Sequence, residues 1–545
     1  MRRVSRRQFV IAGLSAALPL PAWALSSGVE GAQRREIDLR VGETPLFADG
    51  REGKAFGING TVPGPLLRFR EGDSVVLNVH NDLTVDSSIH WHGLLLPDNM
   101  DGVPKISFAG IAPGEFYRYE FPIRQNGTYW YHSHSGLQEQ SGVYGPIIID
   151  PEGDDSVAYD RDYVVLLSDW TFDSPERVFA NLKAREDFYL ANRLTVRDDM
   201  ADKSMWSRMR MNPTDIADVS GLAYTFLMNG RDNLAAWSGE FAPGERIRLR
   251  VINGSAMSFF NVRIPGLPMT VVQADGQNVE PVAIDEFQIG AAETYDVVVT
   301  PTDEAYTIMA EASDRSGFVH GTLASRAGAT AAVPPLREPP LLTMRDMGMS
   351  HEGHGETHHH GGMHHQPEKI EHNLKLGPGI ANINESPIRR LDEPGTGLDD
   401  VPHRALCYSD LCSLENNKDP RSPERTLEIH LTGNMHRYMW SFDGVQYSQV
   451  EAPIRFRYGE RLRLTLINHT MMAHPIHMHG MFMELVNGNG IKNPRKHTVI
   501  VKPAEKLEVD ITADEPGHWA FHCHLLFHMK AGMMQTIKVV DEDIA

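Results

Sequence analysis

The sequence predicts an all-β protein of three Greek-key β-sandwich modules, and three observations support that reading. Short runs of alternating apolar residues recur between turns rich in Pro and Gly, the pattern of half-buried strands. Three segments, REGDSVVLNVHN (70–81), PGERIRLRVING (243–254) and YGERLRLTLINH (458–469), read alike: an acid follows Gly72, Gly244 or Gly459, then apolar residues alternate up to Asn81, Asn253 or Asn468. A second triplet follows, in which Glu115, Glu293 and Glu505 head further strands, and twelve residues beyond each stand Gly127, Ala305 and Gly517, opening GTYWYHSH, AYTIMAEA and GHWAFHCH. The chain has 545 residues, room for three to four domains of about 150 residues, each able to bury its own core.

In chain order, residues 1–24 read as an export leader. A basic start containing Ser5-Arg6-Arg7-Gln8-Phe9 leads into a weakly apolar run and small residues at Ala22-Trp23-Ala24, the layout of a twin-arginine signal peptide that directs a protein to the bacterial periplasm. Residues 25–155, 156–330 and 401–545 are the three modules, and 331–400 a His/Met-rich flexible linker. Within the linker, Met344, Met347, Met349, His351, His354, His358, His359, His360, Met363, His364 and His365 alternate with Gly and show neither strand nor helix period. Thioether and imidazole both suit copper, so capture of copper stands beside a plain solvated linker as a reading of this segment. The formal net charge of −20 argues against nucleic acid as a partner. No stretch after the leader approaches the roughly 20 apolar residues of a membrane span.

The chemistry concentrates in HCHLLFHMKAGM. Cys523, His528 and Met533 supply three of the four ligand types of a blue-copper site, which needs two His, one Cys and a weak axial Met. On a strand, His522 and His524 share one face and Cys523 points to the other. HWHG (His90, His92), HSH (His132, His134) and HPIHMHG (His474, His477, His479) contain further pairs two residues apart. One such pair is a weak signal, whereas four, one of them straddling Cys523, are a strong one. The middle copy, AYTIMAEA, has no His. The ligands therefore come from the first and third modules, whose interface would be the active site, with the second module structural.

These motifs resemble those of the multicopper oxidases, and DGVPKISFAG, NGTYWYHSHSGLQEQSGVYGPIIID, MNPTDIADVSG and IPGLPMTVVQADGQ look closer still to the periplasmic copper-resistance members. The resemblance implies three cupredoxin domains and four copper ions. His474, Cys523, His528 and Met533 would hold the type 1 ion. His90 and His477 would hold type 2, and His92, His132, His134, His479, His522 and His524 the type 3 pair. Electrons from Cu(I), or from phenols in a laccase-like reading, would pass from Cys523 through the peptide to His522 and His524 and reduce dioxygen to water. A third reading makes the chain chiefly a copper-sequestering protein that works with other periplasmic copper handlers. A copper nitrite reductase would share the fold but would not need four H-x-H pairs.

Relatives that oxidise Cu(I) carry a Met two residues before the type 1 His, which is Met472 here, a candidate docking ligand. Where they place acids, this chain has Thr470 and Met529. Asp101 resembles the family's acid beside the type 2 copper and is a candidate proton relay, although a turn aspartate in NMDG is an equal reading. Cys407 and Cys412 are left as a pair, either a disulfide or an accessory Cu(I) thiolate site.

Overall fold

The structure, a computed structural model, describes residues 33–195, 198, 203–209, 212–348 and 372–541. The expected leader and the residues from Met349 to His365 lie outside that range. The fold is the three-sandwich all-β architecture that the repeats predict. Among the described residues six sheets form three pairs, of four and four, six and five, and six and five strands. In the first pair Val75 and Leu77 of one sheet share a core with Trp91, Tyr129 and Ile147 of the other. The second and third sandwiches have one continuous core.

The two sequence triplets become one repeated topology. Strands Ser74–Asn81, Ile247–Asn253 and Arg461–Asn468 each have a parallel neighbour on one side and an antiparallel one on the other. Strands Gly127–His132, Ala305–Ala312 and Gly517–Cys523 each lie between two antiparallel neighbours in the facing sheet. The repeated Asn closes each module. Its backbone N–H donates to the carbonyl of the repeated Glu, Asn81 to Glu115, Asn253 to Glu293 and Asn468 to Glu505, at 2.9, 3.1 and 2.9 Å. Its side-chain oxygen accepts from the N–H two residues on, an Asx turn. Its amide donates to loop carbonyls, and in the third copy Asn468 Nδ2 reaches the Met472 carbonyl at 2.7 Å. That bond holds the turn that delivers His474.

Between Ala324 and Arg425 the described residues form no strand and no α-helix, but they are not loose, which corrects the expectation of a flexible linker over all of 331–400. The Arg337 guanidinium forks onto Glu286 and reaches Glu311. Buried Arg390 pairs with Asp346 and Glu393. Met344 and Met347 are buried with Trp206, Leu342 and Met471, because this end of the segment has apolar side chains to cover. The disulfide expectation is also corrected. Cys407 and Cys412 are free thiols; a 3-10 turn at Tyr408–Asp410 separates them, and each thiol turns to a different carbonyl, Ala405 and Ser413.

Candidate metal centre

The strand Gly517–Cys523 runs through the middle of the site. It pairs with His474–Met478 so that Ile476 faces Cys523 and His477 faces His522. In the first module His90 faces His132 across His90–His92 and Gly127–His132. Alternation then sorts the side chains as expected. Cys523 turns to His474 and His528, with Sγ 3.6 and 3.8 Å from their Nδ1 atoms. His522 joins His134 and His479, its Nε2 being 3.3 and 3.1 Å from theirs. His524 joins His92 and His132, with ring centroids 4.9 and 5.0 Å apart. The rings of His90 and His477 lie 5.8 Å apart. Met533 is buried beside Cys523, whose N–H donates to its carbonyl at 3.1 Å. All ten expected histidines and Cys523 thus gather in two neighbouring clusters joined by one strand.

The tautomers test whether the residues fit metal ions. His479 Nδ1–H donates to Asp101 Oδ2 at 2.8 Å and His522 Nδ1–H to the Cys523 carbonyl at 3.0 Å. In a neutral imidazole the other nitrogen is then a lone pair, so the two Nε2 atoms point lone pairs at each other across 3.1 Å. That arrangement is repulsive unless a cation lies between them. His90 and His477 behave alike: each Nδ1 donates to a carbonyl, of Asp101 at 2.7 Å and His497 at 2.6 Å, and each Nε2 is buried without a partner. At the Cys523 cluster, His528 Nε2–H donates to Asp218 at 2.7 Å and His474 Nε2–H to Thr470 Oγ1 at 2.7 Å. Both Nδ1 lone pairs therefore face the sulfur, 3.2 Å from each other. Burial keeps these rings neutral: it pushes His92, His132, His134, His474, His477, His479 and His524 well below the ordinary imidazole range, and His522 to about 4. It also pushes the Cys523 thiol far up, a cost that a soft cation would remove by binding the thiolate. The donor set and its orphaned lone pairs fit copper.

Comparison with known proteins agrees with this geometry. Residues 41–154, 161–333 and 420–543 each match the multicopper oxidase family. The chain is a multicopper oxidase. It therefore belongs to a family of copper-binding oxidoreductases. It is 47% identical to Copper resistance protein A of Escherichia coli over 98% of this chain and 99% of that one, and 30% identical to a multicopper oxidase of Mycobacterium tuberculosis over 99% and 97%. Among solved structures it shares the fold of the Botrytis aclada laccase, with a TM-score of 0.66 and 22% identity over 93% of this chain and 88% of that one. No helix among its described residues is long and apolar enough to cross a membrane.

Asp101 is more than a turn residue in this oxidase. It is 1% exposed, its carboxylate holds His479, and its other oxygen lies 3.3 Å from His90 Nδ1. Met472 lies in the core, so it does not face an opening as a docking ligand would. Met471 is just as buried, packed with Met344 and Met347, but it lines a cavity of about 350 Å³ together with Glu186, Asp187, Arg193, Asp215, Met435 and His436.

Three functional neighbours escaped the sequence reading. Asp218, from the second module, accepts both His528 Nε2–H at 2.7 Å and Tyr438 O–H at 2.6 Å. Glu139 Oε2 lies 2.8 Å from His132 Nδ1, and burial holds its carboxyl well above the usual range. His497 sits behind His92 with its Nδ1 3.2 Å from His92 Nε2. Asp218 and Glu139 fall in MNPTDIADVSG and LQEQSG, stretches that carried the family resemblance, and acids beside such motifs were the available signal. His497 stands alone in KHTV and gave none.

Proposed function

We propose that this oxidase holds four copper ions and couples one-electron oxidation of Cu(I) to the four-electron reduction of dioxygen to water. The type 1 ion would be held by His474, Cys523, His528 and Met533, and the type 2 ion by His90 and His477. The type 3 pair would be held by His92, His132 and His524 on one side and His134, His479 and His522 on the other. The observation that carries this reading is the single strand that places Cys523 on one face and His522 and His524 on the other. Copper bound there would supply the redox chemistry, with the covalent path from Sγ through the Cys523 backbone serving both clusters.

The chain's own residues do the rest. Asp101 fixes the ring of His479 and, 1% exposed between the clusters and the first-module loop, is placed to pass protons toward the site where water forms. Asp218 orients His528 and also holds Tyr438, while Asp215, three residues before it, lines the cavity that holds Met471 and Met435. The thioethers of Met471 and Met435 in that cavity suit a cuprous ion, whereas a phenol needs an apolar slot. This chemistry favours Cu(I) over the laccase-like reading. A role in copper resistance follows the relatives named for it. We further propose export by the twin-arginine route to the periplasm, and capture of copper by residues 349–365.

Dioxygen uptake with Cu(I) and with a phenol, on the native chain and on one lacking residues 349–366, tests the proposal. Turnover should survive the deletion at saturating Cu(I) while tolerance of copper in cells falls; a phenol preferred over Cu(I) would reassign the enzyme as a laccase. Cys523→Ser should abolish the blue absorption and turnover with every reductant. Retained colour would overturn the ligand set.

A further inference from the structure

His497 is a ninth imidazole at the cluster proposed to hold the type 2 and type 3 ions. It is 1% exposed and comes from RKHTV at the edge of the third module. Three parts of one residue meet three parts of the site. Its carbonyl accepts His477 Nδ1–H at 2.6 Å. Its backbone N–H donates to Asp275 of the second module at 3.2 Å, and the N–H of Thr498 does the same at 3.1 Å. Its Nδ1 lies 3.2 Å from His92 Nε2, with Thr498 Oγ1 3.1 Å from the one and 3.3 Å from the other. Asp275 is itself locked by Lys496, whose ammonium lies 3.1 Å from it and 3.0 Å from Glu293, all fully buried.

Resting on the assignment of His92 to the type 3 pair, we infer that His497 is a positioning residue of the three-copper cluster: it accepts Nε2–H of His92 and so turns the Nδ1 lone pair of His92 to the metal. Two further observations point the same way. His92 Nδ1 is buried with no partner, whereas both hydrogen-bond partners of the ring, His497 Nδ1 and Thr498 Oγ1, lie at Nε2. Asp275 Oδ2 already receives two N–H groups and the Lys496 ammonium and stands 3.6 Å from His497 Nδ1, beyond a hydrogen bond, so Nδ1 can serve His92 as acceptor, with the His497 proton on Nε2, which is buried without a partner. Room for the ring is made by Gly93, the glycine of HWHG. At φ +81 it has no Cβ, and a Cβ there would stand 2.5 Å from His497 Cδ2. The second module therefore reaches the cluster from behind through Asp275, and its role is to hold ring orientation as well as to fill space. Partners of this kind fix the tautomer of a metal-ligating His, and losing one costs about 10–100-fold in metal affinity or activity.

The test compares His497→Leu with His497→Asn in the full-length copper-loaded protein, reading copper per chain, electron paramagnetic resonance and the blue absorption. In the Leu variant the blue absorption should persist while the spin-coupled, resonance-silent pair is lost or becomes visible, with a drop in copper retention of about 10–100-fold. Asn offers Oδ1 in place of Nδ1 and should restore the silent pair, which a space-filling role would not require. A Leu variant with a silent pair and full copper would overturn the inference. If native protein lacks a silent pair, the three-copper assignment fails instead. Should the Leu variant not fold, a crystal structure of the copper-loaded native protein decides: His92 Nδ1 on the metal supports the inference, and Nε2 on the metal refutes it.

Discussion

Replacing Asp218 by Asn removes one charge and little volume from beside the Cys523 cluster. Asp218 accepts from His528 Nε2 at 2.7 Å and from Tyr438 at 2.6 Å, with the indole of Trp440 stacked 3.9 Å from the His528 ring. Both bonds go to the one oxygen Oδ2, which the amide oxygen can replace as acceptor for His528 and Tyr438 alike, so the stability cost should be about 1 kcal/mol. The electrostatic effect is larger. The hydrogen bond, the imidazole width and a metal–nitrogen bond of about 2 Å set the carboxylate about 7 Å from a bound ion. At an effective dielectric of about 20, a unit charge at that distance is worth about 2 kcal/mol, or about 100 mV for one electron. A carboxylate favours the more positive Cu(II), so Asp218→Asn should raise the potential by about that amount. Redox titration followed by the blue absorption measures it. A shift below about 20 mV, with Cu(I) turnover unchanged, would refute the idea that Asp218 tunes the Cys523 site through His528.

Burial and the neighbouring His430 push His469 down to about 3. The unfolded chain therefore binds a proton below the ordinary imidazole value of about 6.5 that the folded chain refuses. The contribution of His469 is full above about pH 6.5 and is lost as pH falls toward 3, so His469→Gln should flatten the acid limb of urea stability by up to a few kcal/mol; parallel limbs would contradict this. Lys496→Met leaves Asp275 and Glu293 buried without their cation and should cost about 3–5 kcal/mol in chemical denaturation, a loss under 1 kcal/mol ruling out a buried ion cluster. Gly102→Ala puts a Cβ 1.8 Å from the Ile89 carbonyl at φ +83. It should pull Asp101 off His479 and lower copper retention by at least about tenfold, which metal analysis of the purified variant reads directly.

The β architecture and the proposed ligands were legible in local patterning. Period-2 alternation and the repeated Gly-acid and Asn positions encode local strand and turn geometry, which needs no partner to be legible. The H-x-H pairs follow from the same alternation, so which side of Gly517–Cys523 each donor takes was readable before any contact was known. The docking of modules sets what surrounds those donors. Asp218 reaches His528 across 310 positions, and His92 meets His497 across 405; such pairs depend on how modules dock, and no periodicity records it. Met472 and Met471 are both buried, each in a different cluster, and which of them lines the cavity depends on packing. Cys407 and Cys412 stayed apart because a turn lies between them. Ligand type is a property of the chain, whereas ligand orientation, here set by the middle module through Asp275, is a property of the packing.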